Sequence, residues 1–222
     1  MAHHPLMLGH RGARASSSVA ENSPASFDLA LKHGCDGFEF DVRLTASGRA
    51  VICHNPKVGG VTIAQARRNQ LQQLPLLREV LARYAARCFL DIELKVAGLE
   101  SQLLVALREH PPEHGYVVSS FLPEVLKELK LRSETVPLGI ICDRRKDLKL
   151  WKELPVNCVI PELSLITMEL MESVHQANKQ LLAWTVNDKR SMLRLASWGV
   201  DGIISDKTEL LAKTFPRRAG RT

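Results

Sequence analysis

Phe38-Glu39-Phe40-Asp41-Val42 is the stretch on which the reading of the fold turns. On a strand the side chains alternate, so Glu39 and Asp41 share one face while Phe38, Phe40 and Val42 share the other. Leu90-Asp91-Ile92-Glu93-Leu94-Lys95 repeats the pattern, with Asp91, Glu93 and Lys95 alternating against Ile92 and Leu94. An exposed strand with a polar side would suit an antiparallel edge. In a closed parallel barrel the apolar face instead packs on helices, and the carboxylates point inward near the strand's C-terminal end.

Working outward, β-like runs recur along the chain at Leu6–His10, Gly37–Val42, Phe89–Lys95, Tyr116–Ser120, Leu138–Cys142, Cys158–Pro161, Leu181–Val186 and Gly202–Ser205. Most are followed by helical periodicity. Leu77, Val80, Leu81 and Tyr84 fall at i, i+3, i+4, i+7 after Pro75, and Asp188 and Gly199 bracket another helix as its caps. Eight β-then-α units predict a (β/α)8 TIM barrel, an α/β fold, over residues 1–215, with 216–222 as a basic tail. A ninth run, Ala50–Cys53, follows the Ser47-Gly48 turn and reads as a short excursion after the second strand. The polar stretch from Asn55 to Leu74 reads as loop. A doubly wound open sheet is the competing architecture, but Gly9-His10-Arg11-Gly12 is not the Gly-rich phosphate loop it would need.

A chain of 222 residues with a formal charge of +6 is long enough to bury one core without staples. Its basic residues are scattered without interleaved aromatics, which argues against nucleic acid, while a positive field suits an anionic small molecule. Cys35, Cys53, Cys88, Cys142 and Cys158 are odd in number and lack CxxC spacing. They read as reduced core thiols, and with no secretory signal in Met1–His10 the expected location is cytoplasmic. No apolar run approaches the roughly 18 residues of a membrane span, so no stable membrane insertion is expected.

Two like charges roughly 7 Å apart inside a barrel are costly unless a cation neutralises them. Glu39, Asp41 and Glu93 form an all-oxygen set, which describes one divalent hard cation: magnesium, calcium or manganese. Lys95 could meet a phosphoryl oxygen or simply pair with a carboxylate of the cluster. His10 ends the first strand run and His54 the excursion. Two histidines beside one phosphorus atom can serve as acid and base without large pKa tuning.

The ordered series His10-Arg11-Gly12, Ala20-Glu21-Asn22-Ser23, Glu39-Phe40-Asp41-Val42, Cys53-His54-Asn55, Ile92-Glu93-Leu94-Lys95, Trp184-Thr185-Val186-Asn187 and Gly199–Asp206 resembles the glycerophosphodiester phosphodiesterase family. The resemblance implies a TIM-barrel hydrolase that releases sn-glycerol 3-phosphate and an alcohol from small glycerophosphodiesters. It implies metal ligands at Glu39, Asp41 and Glu93, catalytic histidines at His10 and His54, and phosphate-facing cations at Arg11 and Lys95. Glu21 would support the site and Trp184 would line the pocket. It also implies attack by the glycerol 2-hydroxyl, followed by opening of a cyclic phosphate by water. Ala20 stands where the family usually has proline, and Asn55 where it usually has aspartate. The short 55–74 stretch bears on substrate preference more than on activity. The rival readings are a sphingomyelinase D or lysophospholipase D-like barrel, which would need an apolar groove and membrane contact, and a non-catalytic phosphodiester-binding barrel.

Overall fold

The two alternating stretches become neighbouring strands of a closed barrel. The computed structural model describes residues 4–216; most of the tail expected at 216–222 lies outside that range. The first half runs β1 (Leu6–Gly9), α1 (Pro24–His33), β2 (Gly37–Leu44), β3 (Ala50–Ile52), β4 (Lys57–Val58), β5 (Val61–Thr62), α2 (Leu77–Tyr84), β6 (Phe89–Leu94) and α3 (Glu100–Glu109). The second half runs β7 (Tyr116–Ser120), α4 (Pro123–Arg132), β8 (Leu138–Cys142), β9 (Cys158–Pro161), α5 (Met168–Gln176), β10 (Gln180–Ala183), α6 (Lys189–Trp198), β11 (Gly202–Ser205) and α7 (Thr208–Thr214). Strands β1, β2, β6, β7, β8, β9, β10 and β11 pair in parallel in that order, and β11 returns to β1. This is the TIM barrel.

In the β2–β6 register Glu39 lies opposite Asp91, and Asp41 opposite Glu93. Phe38 and Phe40 turn the other way into the layer between barrel and helices. There Phe27 of α1 stacks on Phe38 at 4.1 Å between centroids, and Tyr84 of α2 meets Phe38 edge-on at 5.1 Å. Fully burying such a side chain contributes about 1.5–3 kcal/mol, so the aromatic face fixes which way the carboxylates point. Leu8, Val117, Ile141, Cys158, Ile160, Leu182 and Ile204 fill the barrel interior beside them.

Local chemistry sets the helix ends. Ser23 accepts the Ser26 N–H at 3.2 Å with Pro24 in the first turn, and Asp188 accepts from Ser191 at 2.8 Å. Gly199, at φ 89°, closes α6 in the left-handed conformation that glycine adopts without strain.

The structure departs from the sequence reading in four places. β2 runs on to Leu44 and pairs antiparallel with β3, so Glu39 and Asp41 sit mid-strand yet level with the end of β6. The polar 55–74 stretch is not bare loop. It carries the β4–β5 hairpin and two 3₁₀ turns over a small core of Val51, Cys53, Ile63, Ala66 and Leu71, apolar residues too widely spaced to show a period. After β8 the chain forms a 3₁₀ helix, Arg145–Lys152, in which only Trp151 is buried. So short a run with one anchor does not offset the cost of α-helix nucleation. Finally, β10 ends at Ala183, and Trp184 makes only a single bridge, to Glu162. The Trp184–Thr185 peptide bond is cis.

Candidate active site

The neighbouring strand pair brings three carboxylates together. One oxygen each from Glu39, Asp41 and Glu93 lies within 4.8 Å of the others, and all three residues are buried. Asp41 is the best supported. Asn22 donates to its Oδ2 at 2.7 Å, Arg11 Nε lies 3.2 Å from the same oxygen, and Lys95 Nζ lies 3.2 Å from Oδ1 without hydrogen-bond alignment. Burial alone would raise its pKa, but Lys95, Arg11 and Asn22 outweigh that and hold it below the usual range. Glu93 accepts from Lys95 at 2.5 Å, yet burial and the Asp41 charge push it up to about 8. Glu39 accepts the Arg11 backbone N–H at 2.9 Å through Oε2, while its buried Oε1 has no hydrogen-bond partner among the described residues. Burial, reinforced by Asp41 and Glu93, carries its pKa well above the usual range.

A buried carboxylate oxygen with no donor is expensive to ionise. A divalent cation would remove that cost, and three convergent oxygens without thiolate or imidazole are hard-cation chemistry. The residues fit such an ion.

The turn after β1 supplies the opposing groups. Arg11 sits at φ 52°, a left-handed conformation strained for arginine, and it aims its backbone N–H at Glu39. Gly12 follows at φ 81°, where a Cβ would come within 2.6 Å of the Ser26 carbonyl carbon. Only glycine fits. The Arg11 guanidinium also meets Glu21 at 3.0 Å, and Glu21 in turn takes Arg14 at 2.8 Å. Burial would raise Glu21, but Arg14 and Arg11 prevail and lower it.

His10 lies just past β1, with Nδ1 2.7 Å from Asp206 Oδ1 and Nε2 3.8 Å from Glu39 Oε2. His54 follows β3; its carbonyl accepts from Arg43 at 2.8 Å and its Nδ1 meets Asn55 Oδ1 at 3.0 Å. Burial holds its imidazole below the usual range against the pull of Asn55 and Asp41. His10, Arg11, Glu39, His54, Asp91, Glu93 and Lys95 line one cavity of about 80 Å³. Phe121, Ile141, Ile160, Trp184 and Ile204 form its apolar wall, with Phe121 edge-on to Trp184 at 5.7 Å. Trp184 is anchored there by its indole N–H, which donates to the Ile160 carbonyl at 3.0 Å.

Seven of the nine residues singled out in the sequence therefore line one cavity at the barrel mouth, Asp41 joins Glu39 and Glu93 beside it, and Glu21 stands behind Arg11. In the structure Lys95 and Arg11 both rest on carboxylates. The sequence reading gives no site role to Asn22, Asp91, Phe121, Asn187 or Asp206. Asp91 adds only its strand phase to the alternation argument, yet it lines the cavity; Ser119 donates to its Oδ1 at 2.6 Å, and its buried Oδ2 has no hydrogen-bond partner among the described residues. The usable signal for Asn187 and Asp206 was position, since both lie just beyond C-terminal strand ends, where barrel enzymes build their sites. Of the histidines outside the cavity, His4 meets the Phe215 carbonyl, His33 meets Thr208 and His175 meets Asp201. Among the described residues no helix is long and apolar enough to cross a membrane.

Known proteins carry the same pattern. The family model of the glycerophosphoryl diester phosphodiesterase family matches residues 10–86 and 79–210. The glycerophosphodiester phosphodiesterase of Caldanaerobacter subterraneus is 29% identical over 234 residues, spanning 93% of this chain and 96% of its own. That of Bacillus altitudinis is 27% identical, spanning 96% of each chain. A phosphodiesterase of Oleispira antarctica, solved with the product sn-glycerol-3-phosphate, shares the fold at a TM-score of 0.84 and 24% identity, covering 96% of this chain and 98% of that one. With the match running from His10 to Leu210 and the candidate residues gathered at one barrel mouth, this chain belongs to the glycerophosphoryl diester phosphodiesterase family and is a phosphoric diester hydrolase.

Proposed function

We propose that this enzyme hydrolyses glycerophosphodiesters to sn-glycerol 3-phosphate and an alcohol, with His10 and His54 as proton carriers and one divalent hard cation held by Glu39, Asp41 and Glu93. The observation that carries this reading is the buried carboxylate trio, with Glu39 Oε1 left without a donor among the described residues in the cavity that both histidines line. Bound there, magnesium, calcium or manganese would supply Lewis-acid neutralisation of phosphoryl charge.

The chain's own groups do the rest. One histidine takes the proton of the glycerol 2-hydroxyl as that oxygen bonds to phosphorus. The other gives a proton to the departing alcohol oxygen as its bond to phosphorus breaks. Water then opens the cyclic phosphate, with the same pair working in reverse. Arg11 and Lys95 offer donors to the phosphoryl oxygens, and Glu21 holds Arg11 in place. Phe121 and Trp184 exclude water on the apolar side. The barrel over residues 1–215 is the whole catalytic unit in this reading. Its substrate is a small molecule, and neither nucleic acid nor membrane insertion enters. Five buried cysteines, odd in number and without CxxC spacing, suit a reducing compartment, so the enzyme is read as cytoplasmic.

The test of the attack is an analogue lacking the glycerol 2-hydroxyl. It should bind in the site and resist cleavage, and the hydroxylated parent should pass through a detectable cyclic phosphate. Cleavage of the deoxy analogue at the parent's rate would mean that water attacks directly.

A further inference from the structure

The carboxylate of Asp206 lies outside the cation ligands, and no step above uses it. It closes an ordered chain of hydrogen bonds at the end of β11. Lys207 N–H donates to Ser205 Oγ at 3.0 Å, so the Ser205 hydroxyl proton is free to donate to Asn187 Oδ1 at 3.1 Å. The Asp206 backbone N–H donates to the same amide oxygen at 3.0 Å. Two donors on Oδ1 fix the amide orientation, and Asn187 Nδ2 then donates to Asp206 Oδ2 at 2.7 Å. Arg14 Nη1 meets Asp206 Oδ1 at 3.1 Å. A carboxylate held by two such donors is ionised and can only accept, so the 2.7 Å contact with His10 puts the imidazole proton on Nδ1.

We propose that Asp206 is the positioning residue of His10: it holds Nδ1–H and so presents Nε2 to the reacting phosphoryl group, whichever way the proton passes. The claim rests on the reading that His10 carries a proton. Strong donation to Asp206 agrees with it, since the bonds from His10, Asn187 and Arg14 together overcome burial and keep Asp206 well below the usual carboxylate range. A merely structural Asp206 in this contact would hold the same tautomer, so the loss of kcat in its variants, beside the tautomer, separates the two roles.

The experiment uses the full chain labelled with nitrogen-15 histidine, free of metal, together with steady-state kinetics on a glycerophosphodiester. In the wild type, neutral His10 should show protonated Nδ1 and bare Nε2. Asp206→Asn should mix or invert the tautomers and cut kcat on the order of 10²- to 10⁴-fold with little change in KM. Asp206→Glu should restore the tautomer and part of kcat, and Asp206→Ala, with the same loss expected, serves in place of Asp206→Asn should that variant fail to fold. Protonated Nε2 in the wild type overturns the proposal, as does Asp206→Asn with unchanged kcat. A wild type that cleaves no glycerophosphodiester would instead sink the functional reading, and the tautomer measurement would still decide the geometry.

Discussion

Lys95 touches Glu93 at 2.5 Å and Asp41 at 3.2 Å. Burial would lower its pKa, but those two carboxylates win and raise it, so it stays a cation inside the barrel mouth. On the proposed chemistry Lys95 stabilises charge already present on bound substrate, whereas the histidines act only during bond changes. Lys95→Ala should therefore weaken binding of an uncleavable phosphodiester as well as slow turnover. His10→Ala and His54→Ala should keep that binding and lose on the order of 10²- to 10⁴-fold in kcat. Their double variant should be little worse than either, because donor and acceptor work as a unit. Turnover and analogue affinity across these variants check all three statements. Near-normal turnover in one histidine variant would make that residue structural. Glu39, Asp41, Glu93 and Lys95 were legible in the sequence because strand phase alone groups them. Asp206 was not, because its partner His10 lies 196 positions away and only closure of the barrel brings them together.

Elements explain why His54 reaches a site built by other strands. The over-long β2 pairs with β3, and Arg43 on β2 donates to the His54 carbonyl at 2.8 Å. The small core under 55–74 holds this excursion against the barrel. Arg43→Ala should cost about 1 kcal/mol of stability for the lost hydrogen bond and lower kcat through a loosened His54, with KM little changed. Thermal unfolding and kinetics on the same sample check it, and an unaltered kcat would remove Arg43 from any positioning role. The β3 run was visible as a short apolar stretch after Ser47-Gly48. The packing role of 55–74 was hidden, because Ile63, Ala66 and Leu71 follow neither a strand nor a long-helix period. The 3₁₀ segment at 145–152 was missed for a related reason, since its apolar residues resemble a short α-helix.

At the scale of the molecule, barrel closure follows from eight alternating units and was readable from sequence spacing. What spacing could not supply is the energetic state of the mouth. Asp91 is pushed up to about 7 and Glu93 to about 8, both chiefly by burial. For each, the unfolded chain has the ordinary carboxyl pKa, about 4. Between roughly pH 4 and 8 the native state thus holds more protons than the unfolded one. The stability tied to these groups is full below the unfolded values and is lost as pH rises through the folded ones. Metal-free protein should therefore have a Tm that falls from pH 5 to pH 8, and a divalent cation should flatten or reverse that fall by binding the ionised carboxylates. Denaturation scans across that window with and without magnesium check the sign.

The most direct test of the central claim is release of sn-glycerol 3-phosphate from glycerophosphocholine, followed through chelation and metal add-back in wild type and Glu39→Gln. The account predicts that wild-type release stops on chelation and returns with magnesium, calcium or manganese, while folded Glu39→Gln stays slow unless the ion is in large excess. Full release in the presence of chelator, or Glu39→Gln as active as wild type at low metal, would contradict it.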